Sequence, residues 1–282
     1  MRMTAEAQPE VERLTCSGLK GRVAVVTGAG SSPEGIGIGQ AIAVRLTASG
    51  ARICIVDRDS TRAEATHAMV SALGGEACVA VADVTCKDDC RAAVDVAVKK
   101  FGGVDILINN VGISGPRGPI GDLDEEQWER VFATNLRGAL YMSLYAVPRM
   151  VEQHAVAVVN VASVAGLRAS GGLAYGPSKA ALIALTRELA VLHGPDGVRA
   201  NAIAPGHLHT PMVSNLGQRE MRRAIAPLRV EGTAWDVAAA AAFLSGDQAR
   251  FVTGICLAVD GGVTAIGALA AHQQMLTQAQ GS

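Results

Sequence analysis

The stretch that decides the fold is Arg22–Ala43. Arg22–Thr27 reads RVAVVT, Gly28–Gly39 reads GAGSSPEGIGIG, and Gln40–Ala43 reads QAIA. A short, continuous apolar run suits a strand buried on both faces. Glycines follow it, and then Ile38–Leu46 carries apolar residues at helical spacing. A glycine turn between a strand and a helix lets the backbone approach a pyrophosphate, which then lies on the helix N-terminus. Gly28, Ser31, Gly37, Ile38 and Gly39 are therefore candidate cofactor contacts. The natural register sets Gly37-Ile38-Gly39 at the helix start, and Gly35-Ile36-Gly37 is the alternative.

The same rhythm continues outward. Ala51–Val56 (ARICIV), Ala77–Ala82 (ACVAVA), Val104–Ile108 (VDILI), Ala155–Val161 (AVAVVNV), Val198–Ala204 and Ile255–Val259 read as six further buried strands. Helical patterns separate them: one ends near Leu73, and others cover Lys87–Phe101, Asp124–Glu152, Ala174–Leu192 and Ala234–Leu244. Gly112–Gly121 and Pro205–Pro211 read as loops. Alternating strands and helices imply βαβ units, with right-handed crossovers placing helices on both faces. The expectation is an α/β fold with a doubly wound, seven-stranded parallel sheet. It occupies one domain, residues 21–262, after a loose extension (1–20) and before a C-terminal tail (263–282).

Composition agrees. Apolar residues make up 49% of the chain and charged residues 18%, which excludes a disordered protein. A net charge of −1 offers no footprint for nucleic acid or an anionic membrane. No apolar run reaches the ~18 residues of a membrane span, and the first twenty residues lack a signal-peptide core. A cytoplasmic location is expected. Glycine is in excess, 32 of 282 residues, and only 9 are aromatic (Trp 2, Tyr 3, Phe 4), so Ala, Val, Ile and Leu must build the core. The six cysteines include no CxxC pair, and Cys86 and Cys90 have no histidine cluster beside them, so reduced thiols and no metal site are expected.

Asp57 closes the second strand, twenty residues beyond Gly37. A carboxylate there can accept hydrogen bonds from the adenosine ribose hydroxyls and repels a 2′-phosphate. Arg58 beside it pulls the other way, while the glycine turn contains Glu34 and no basic residue. The balance favours NAD over NADP.

Tyr175-Gly176-Pro177-Ser178-Lys179 places a phenol and an ammonium four residues apart, on one face of a helix. Pro177 is tolerated only in a first turn, so the helix should begin near Tyr175. Ser163 lies twelve residues upstream, just past the fifth strand, and Asn135 lies in the long helix before it. With these in place the chain resembles the short-chain dehydrogenase/reductase family in its compact, Rossmann-type form. The resemblance runs over about residues 20–262. Its motifs are the glycine turn, Asp83-Val84, Asn109-Asn110-Val111-Gly112, Asn135, Ser163, Tyr175 with Lys179, Asn201, Pro205-Gly206…Thr210, and Val259-Asp260-Gly261-Gly262.

The resemblance implies a catalytic set of Asn135, Ser163, Tyr175 and Lys179. Tyr175 would be the general acid/base. Lys179 would favour its phenolate and hold the nicotinamide ribose. Ser163 would polarise the substrate oxygen, and Asn135 would hold a water linking Lys179 to solvent. Asp83 and Val84 would lie near adenine, and Asn109 and Gly112 along the adenosine side. Pro205, Leu208 and Thr210 would face the nicotinamide. Three departures stand out: the Ser-Pro-Glu insertion in the glycine turn, Val111 for the common alanine, and a Ser163–Tyr175 interval one residue short of the frequent spacing.

The substrate pocket should be framed by Ile113–Ile120, Ala165–Ala174 and His207–Ser214, with His207–Arg223 expected to cover it. His207, His209 and Arg168 are extra polar groups there, and each also suits a solvated loop position. The expected substrate is a small secondary alcohol or ketone. An NADPH-dependent 3-oxoacyl thioester reductase and a non-catalytic cofactor-binding sensor are the competing readings. By resemblance, the apolar helix with Val131, Leu140, Leu144 and Val147 implies a homotetramer.

Overall fold

The structure is a computed structural model that describes residues 18–30, 35–153, 156–210, 219–267 and 270. Seven strands form one parallel sheet: β1 (Val23–Thr27), β2 (Arg52–Asp57), β3 (Ala77–Val81), β4 (Ile106–Asn109), β5 (Val156–Val161), β6 (Val198–Pro205) and β9 (Cys256–Val259). Their order is β3-β2-β1-β4-β5-β6-β9. The chain winds outward from β1 to β3, then returns past β1 to lay β4 on its other side. That reversal opens a crevice at the carboxyl ends of β1 and β4, where ligands bind in sheets of this kind.

The helices are α1 (Ile38–Ala48), α2 (Ser60–Ala72), α3 (Lys87–Phe101), α4 (Glu125–Phe132), α5 (Gly138–Val151), α6 (Tyr175–His193), α7 (Arg219–Ile225) and α8 (Ala234–Ser245). Alternate strand residues feed two separate cores. Ala24, Val26, Ile53, Ile55, Ile106 and Ile108 pack with α1, α2 and α8 on one face. Val23, Val25, Cys54, Val56, Leu107 and Val158 pack with α3, α5 and α6 on the other. The inner strands β1, β2, β4, β5 and β6 read as continuously apolar because both of their faces are buried.

Four features differ from the sequence expectation. The stretch expected as one helix over Asp124–Glu152 is α4 and α5 joined by a π-helical turn, Ala133–Arg137, which holds Asn135. Pro205–Pro211, expected as a loop, contains β7 (Leu208–His209), paired in parallel with β8 (Gly232–Thr233). Leu19, assigned to a loose extension, is buried in the first core. Val263, Thr264 and Ile266, assigned to the tail, line the main cleft. Ser31, Glu34, Cys16 and residues 211–218 of the expected cover over the pocket lie outside the described residues.

Candidate active site

A cleft of about 1000 Å³ opens along the carboxyl edge of the sheet. Its walls come from the turns after β1 to β6 and from the segment after β9. At its centre α1 starts at Ile38 with Gly37 as the capping residue. Among the described residues no side chain caps that end, and its first turn carries no acid. Its leading amides therefore face the cleft without a side-chain acceptor, next to the positive end of the helix dipole. The glycines are needed for space. A Cβ at Gly39 would run into the Gly28 carbonyl and within 2.6 Å of the Asn110 amide nitrogen, while Gly28 itself has φ +62°. Side chains are excluded so that a ligand can meet bare backbone. This donor set fits the diphosphate of a dinucleotide.

One flank carries charges of both signs. Asp57 lines the cleft at the end of β2, its Oδ2 accepting from the Gly30 amide at 2.9 Å and its Oδ1 from the Asp59 amide at 3.1 Å. Arg58 and Arg62 line the cleft beside it, and Arg62 also pairs with Asp59 at 3.3 Å. Asp83 accepts from both the amide and the hydroxyl of Thr85 at 2.8 and 2.7 Å, and these bonds hold its carboxyl below the usual carboxylate range. Val84 also lines this flank.

Asn109 does not enter the cleft. It is buried, and its amide donates to Asn160 Oδ1 on β5 at 2.9 Å. Alternation along β4 turns its side chain toward the helices. Asn110, the next residue, lines the cleft instead. Its amide nitrogen donates to the carbonyls of Thr27 and Gly28, each at 3.1 Å, and so stitches the glycine turn to the end of β4.

Deeper in the cleft, Tyr175 stands on the first residue of α6, and Lys179 lies one turn on. Ser163 and Tyr175 both line the cleft. Burial raises the Tyr175 phenol above its ordinary value, and the nearby Ser163 hydroxyl opposes that shift. Lys179 is only 2% exposed. Its Nζ donates to the Val161 carbonyl at 2.9 Å and lies 5.9 Å from the centre of the Tyr175 ring. Burial lowers its pKa to about 8. Gly112 leaves room for this ammonium, since a Cβ there would stand 3.0 Å from Nζ.

Asn135 is tied to the turn after β4 and to α6. Its Oδ1 accepts from the Ile113 amide at 2.8 Å, and its Nδ2 donates to the Ile113 carbonyl and the Ser178 hydroxyl, both at 3.0 Å. The side chain is spent on protein groups. It fixes the turn that carries Gly112 and the helix that carries Lys179.

Pro205, Leu208 and Thr210 line the wall beyond β6. His207 lines it too, with a pKa lowered by burial and by the charges of Arg117 and Arg222. His209 is exposed and outside the lining. Arg168 and Arg117 complete the outer rim. The sequence reading passed over Arg117 and the lip at Val263–Ile266. The only signal was position: one lies in the loop after β4, the other just after the last strand.

Comparison with known proteins agrees with this geometry. A family model described as enoyl-(acyl carrier protein) reductase matches residues 34–264. The 2-(S)-hydroxypropyl-CoM dehydrogenase 3 of Xanthobacter autotrophicus is 39% identical over 260 residues, covering 88% of this chain and 98% of that protein. The cis-4-hydroxycyclohexanecarboxylate dehydrogenase of Sinomonas cyclohexanicum is 38% identical over 248 residues, covering 87% and 97%. A crystal structure described as a short-chain dehydrogenase/reductase from Burkholderia xenovorans superposes with a TM-score of 0.84 at 41% identity, covering 89% of this chain and 100% of that one.

Proposed function

The chain belongs to the short-chain dehydrogenase/reductase family, and from that premise we propose that it moves a hydride between NAD, in preference to NADP, and the carbon of a secondary alcohol or ketone, with Tyr175 exchanging the proton. The observation that carries this reading is Ser163, Tyr175 and the buried Lys179 ammonium, one helical turn beyond Tyr175, lining the same cleft as the bare start of α1. When bound, the nicotinamide supplies the hydride acceptor or donor. The residues that would hold the dinucleotide are Gly28, Gly37, Ile38 and Gly39 for the diphosphate, Asp57 for the ribose, Asp83 and Val84 for the adenine, and Gly112, Pro205, Leu208 and Thr210 toward the nicotinamide.

Tyr175 Oη takes the proton from the substrate hydroxyl in oxidation and returns it in reduction. Its phenol is costly to ionise where it sits, because burial disfavours the charged form. The Lys179 ammonium compensates, since an unscreened positive charge close to the ring stabilises the phenolate. Ser163 donates to the substrate oxygen and orients it toward Tyr175. Asn135 acts by positioning: it holds the Gly112–Ile113 turn and Ser178 around Lys179.

The preference for NAD is supported by the Asp57 carboxylate in the cleft, fixed by the Gly30 and Asp59 amides. Names of relatives support the substrate class, since hydroxypropyl and hydroxycyclohexane compounds are secondary alcohols. A homotetramer is supported by exposed apolar side chains on α5 and α6: Leu140 is 44% exposed, Leu144 49%, Val191 73% and Leu192 65%. Among the described residues no helix is long and apolar enough to cross a membrane, and a cytoplasmic location fits that.

The test is a panel of secondary alcohols, ketones, 3-oxoacyl thioesters and enoyl thioesters, followed at the nicotinamide absorbance with NAD and NADP. Tyr175→Phe should reduce turnover at least a hundredfold while dinucleotide binding persists. Turnover undiminished in that variant removes the proton role from Tyr175.

A further inference from the structure

The carboxylates of the cleft are confined to one end. Asp57 and Asp83 follow β2 and β3, with Arg58 and Arg62 beside them. The far end of the cleft is framed by the loops after β4, β5 and β6 and by the segment after β9. Among the described residues, those of these segments that line the cleft include no aspartate or glutamate. Arg117 and Arg168 project from two of those loops and line the cleft. Four strand spacings separate β2 from β6, roughly 19 Å. That is about twice the screening length of physiological salt, so Asp57 does not neutralise the far end.

Arg168 is also held in place. Its Nη2 donates to the Thr264 carbonyl at 3.2 Å, and its Nη1 lies 3.3 Å from the Leu167 carbonyl. Thr264 is fixed in turn: Asp260 Oδ2 accepts from its amide at 2.8 Å and its hydroxyl at 2.7 Å. The carboxylate of Asp260 is thus spent on the lip of the cleft. Among the described residues no carboxylate lies within ion-pair distance of Arg168 or Arg117. Glu231, near His209, is already taken by Arg219 at 2.9 Å and Arg222 at 2.7 Å. A guanidinium fork held by backbone carbonyls and lacking an anion is a receptor for an oxyanion.

We propose that the substrate end of this cleft seats an oxyanion, with Arg168 and Arg117 as its contacts, so that the favoured substrates are alcohols or ketones bearing a carboxylate or sulfonate away from the reacting carbon. The proposal rests on the oxidoreductase reading and narrows its substrate class. His207, on the same wall, has its pKa lowered by desolvation and by the charges of Arg117 and Arg222.

The experiment compares matched acids and amides with NAD: 4-hydroxycyclohexanecarboxylate against its carboxamide, and 3-hydroxybutyrate against 3-hydroxybutyramide. The acid of at least one pair should show a kcat/KM at least tenfold higher, carried mainly by KM, with the advantage shrinking in 0.5 M NaCl. Arg168→Gln and Arg117→Gln should each lower the acid-to-amide ratio by about tenfold. Arg168→Lys, which keeps charge without the fork, should recover part of it. An acid-to-amide ratio near one, or arginine substitutions that lower acid and amide equally, overturns the proposal and leaves the oxidoreductase reading intact. A silent panel in the Proposed function test strikes that reading instead. The oxyanion site then stands or falls on whether cyclohexanecarboxylate raises the melting temperature of the NAD-loaded protein more than cyclohexanecarboxamide does. Equal shifts refute it. Circular dichroism of each variant separates lost binding from lost folding.

Discussion

Lys179→Met should make the protein more stable and inactive. The side chain is 2% exposed, and its Nζ donates to the Val161 carbonyl at 2.9 Å. Burial brings its pKa to about 8, against about 10.4 for a free lysine, a gap worth about 3 kcal/mol. At neutral pH both the folded and the unfolded chain carry this proton, so the folded state bears that cost in full. Methionine fills a similar volume without charge. It forfeits the bond to Val161, about 1 kcal/mol, and leaves a net gain of about 2 kcal/mol. For a chain of this size that is an increase in melting temperature of about 5 °C. The sign with pH follows from proton counts. Between about pH 8 and 10.4 the unfolded chain binds the proton and the folded one does not, so wild type gains stability relative to the variant as pH rises. The gap between the two should close by about pH 10.4. Urea denaturation without added dinucleotide at pH 7 and pH 10, with wild type and variant side by side, measures it. A variant less stable at pH 7, or a gap that does not change with pH, refutes the idea that the ammonium is held at a cost.

Three further outcomes are expected. Asp57→Ser removes the carboxylate while Arg58 and Arg62 remain in the cleft, so the NADP-to-NAD ratio of kcat/KM should rise at least tenfold, about 1.4 kcal/mol; an unmoved ratio assigns cofactor choice elsewhere. Gly39→Ala forces a methyl against the Gly28 carbonyl and the Asn110 amide, and should cost about 2 kcal/mol in stability together with dinucleotide affinity measured by calorimetry. Wild-type affinity in that variant would mean the turn has slack. Asn135→Ala orphans the Ile113 amide and carbonyl, and should cost about 2–3 kcal/mol in urea denaturation with loss of turnover. A loss of turnover at full stability would point to direct chemistry by this side chain instead of positioning.

The order of strands and helices was legible from local pattern, because seven buried runs of Val, Ile, Ala and Leu have no other use in a chain this length. Tyr175, Lys179 and Ser163 were legible too. One turn of helix fixes the first two on a face, and the end of a strand fixes the third. Asn109 was misplaced because a strand shows alternation but not which face looks into the cleft, and that choice belongs to the crossover connections. Asn135 was found but its partners Ile113 and Ser178 were not, since they meet it only through the π-helical turn and the packing of α6. The burial that lowers Lys179, and the chain of bonds from Asp260 through Thr264 to Arg168, join segments far apart in sequence. Local spacing encodes which groups are available. Electrostatic environment depends on what lies within a few ångströms in space, and only the closed tertiary structure decides that.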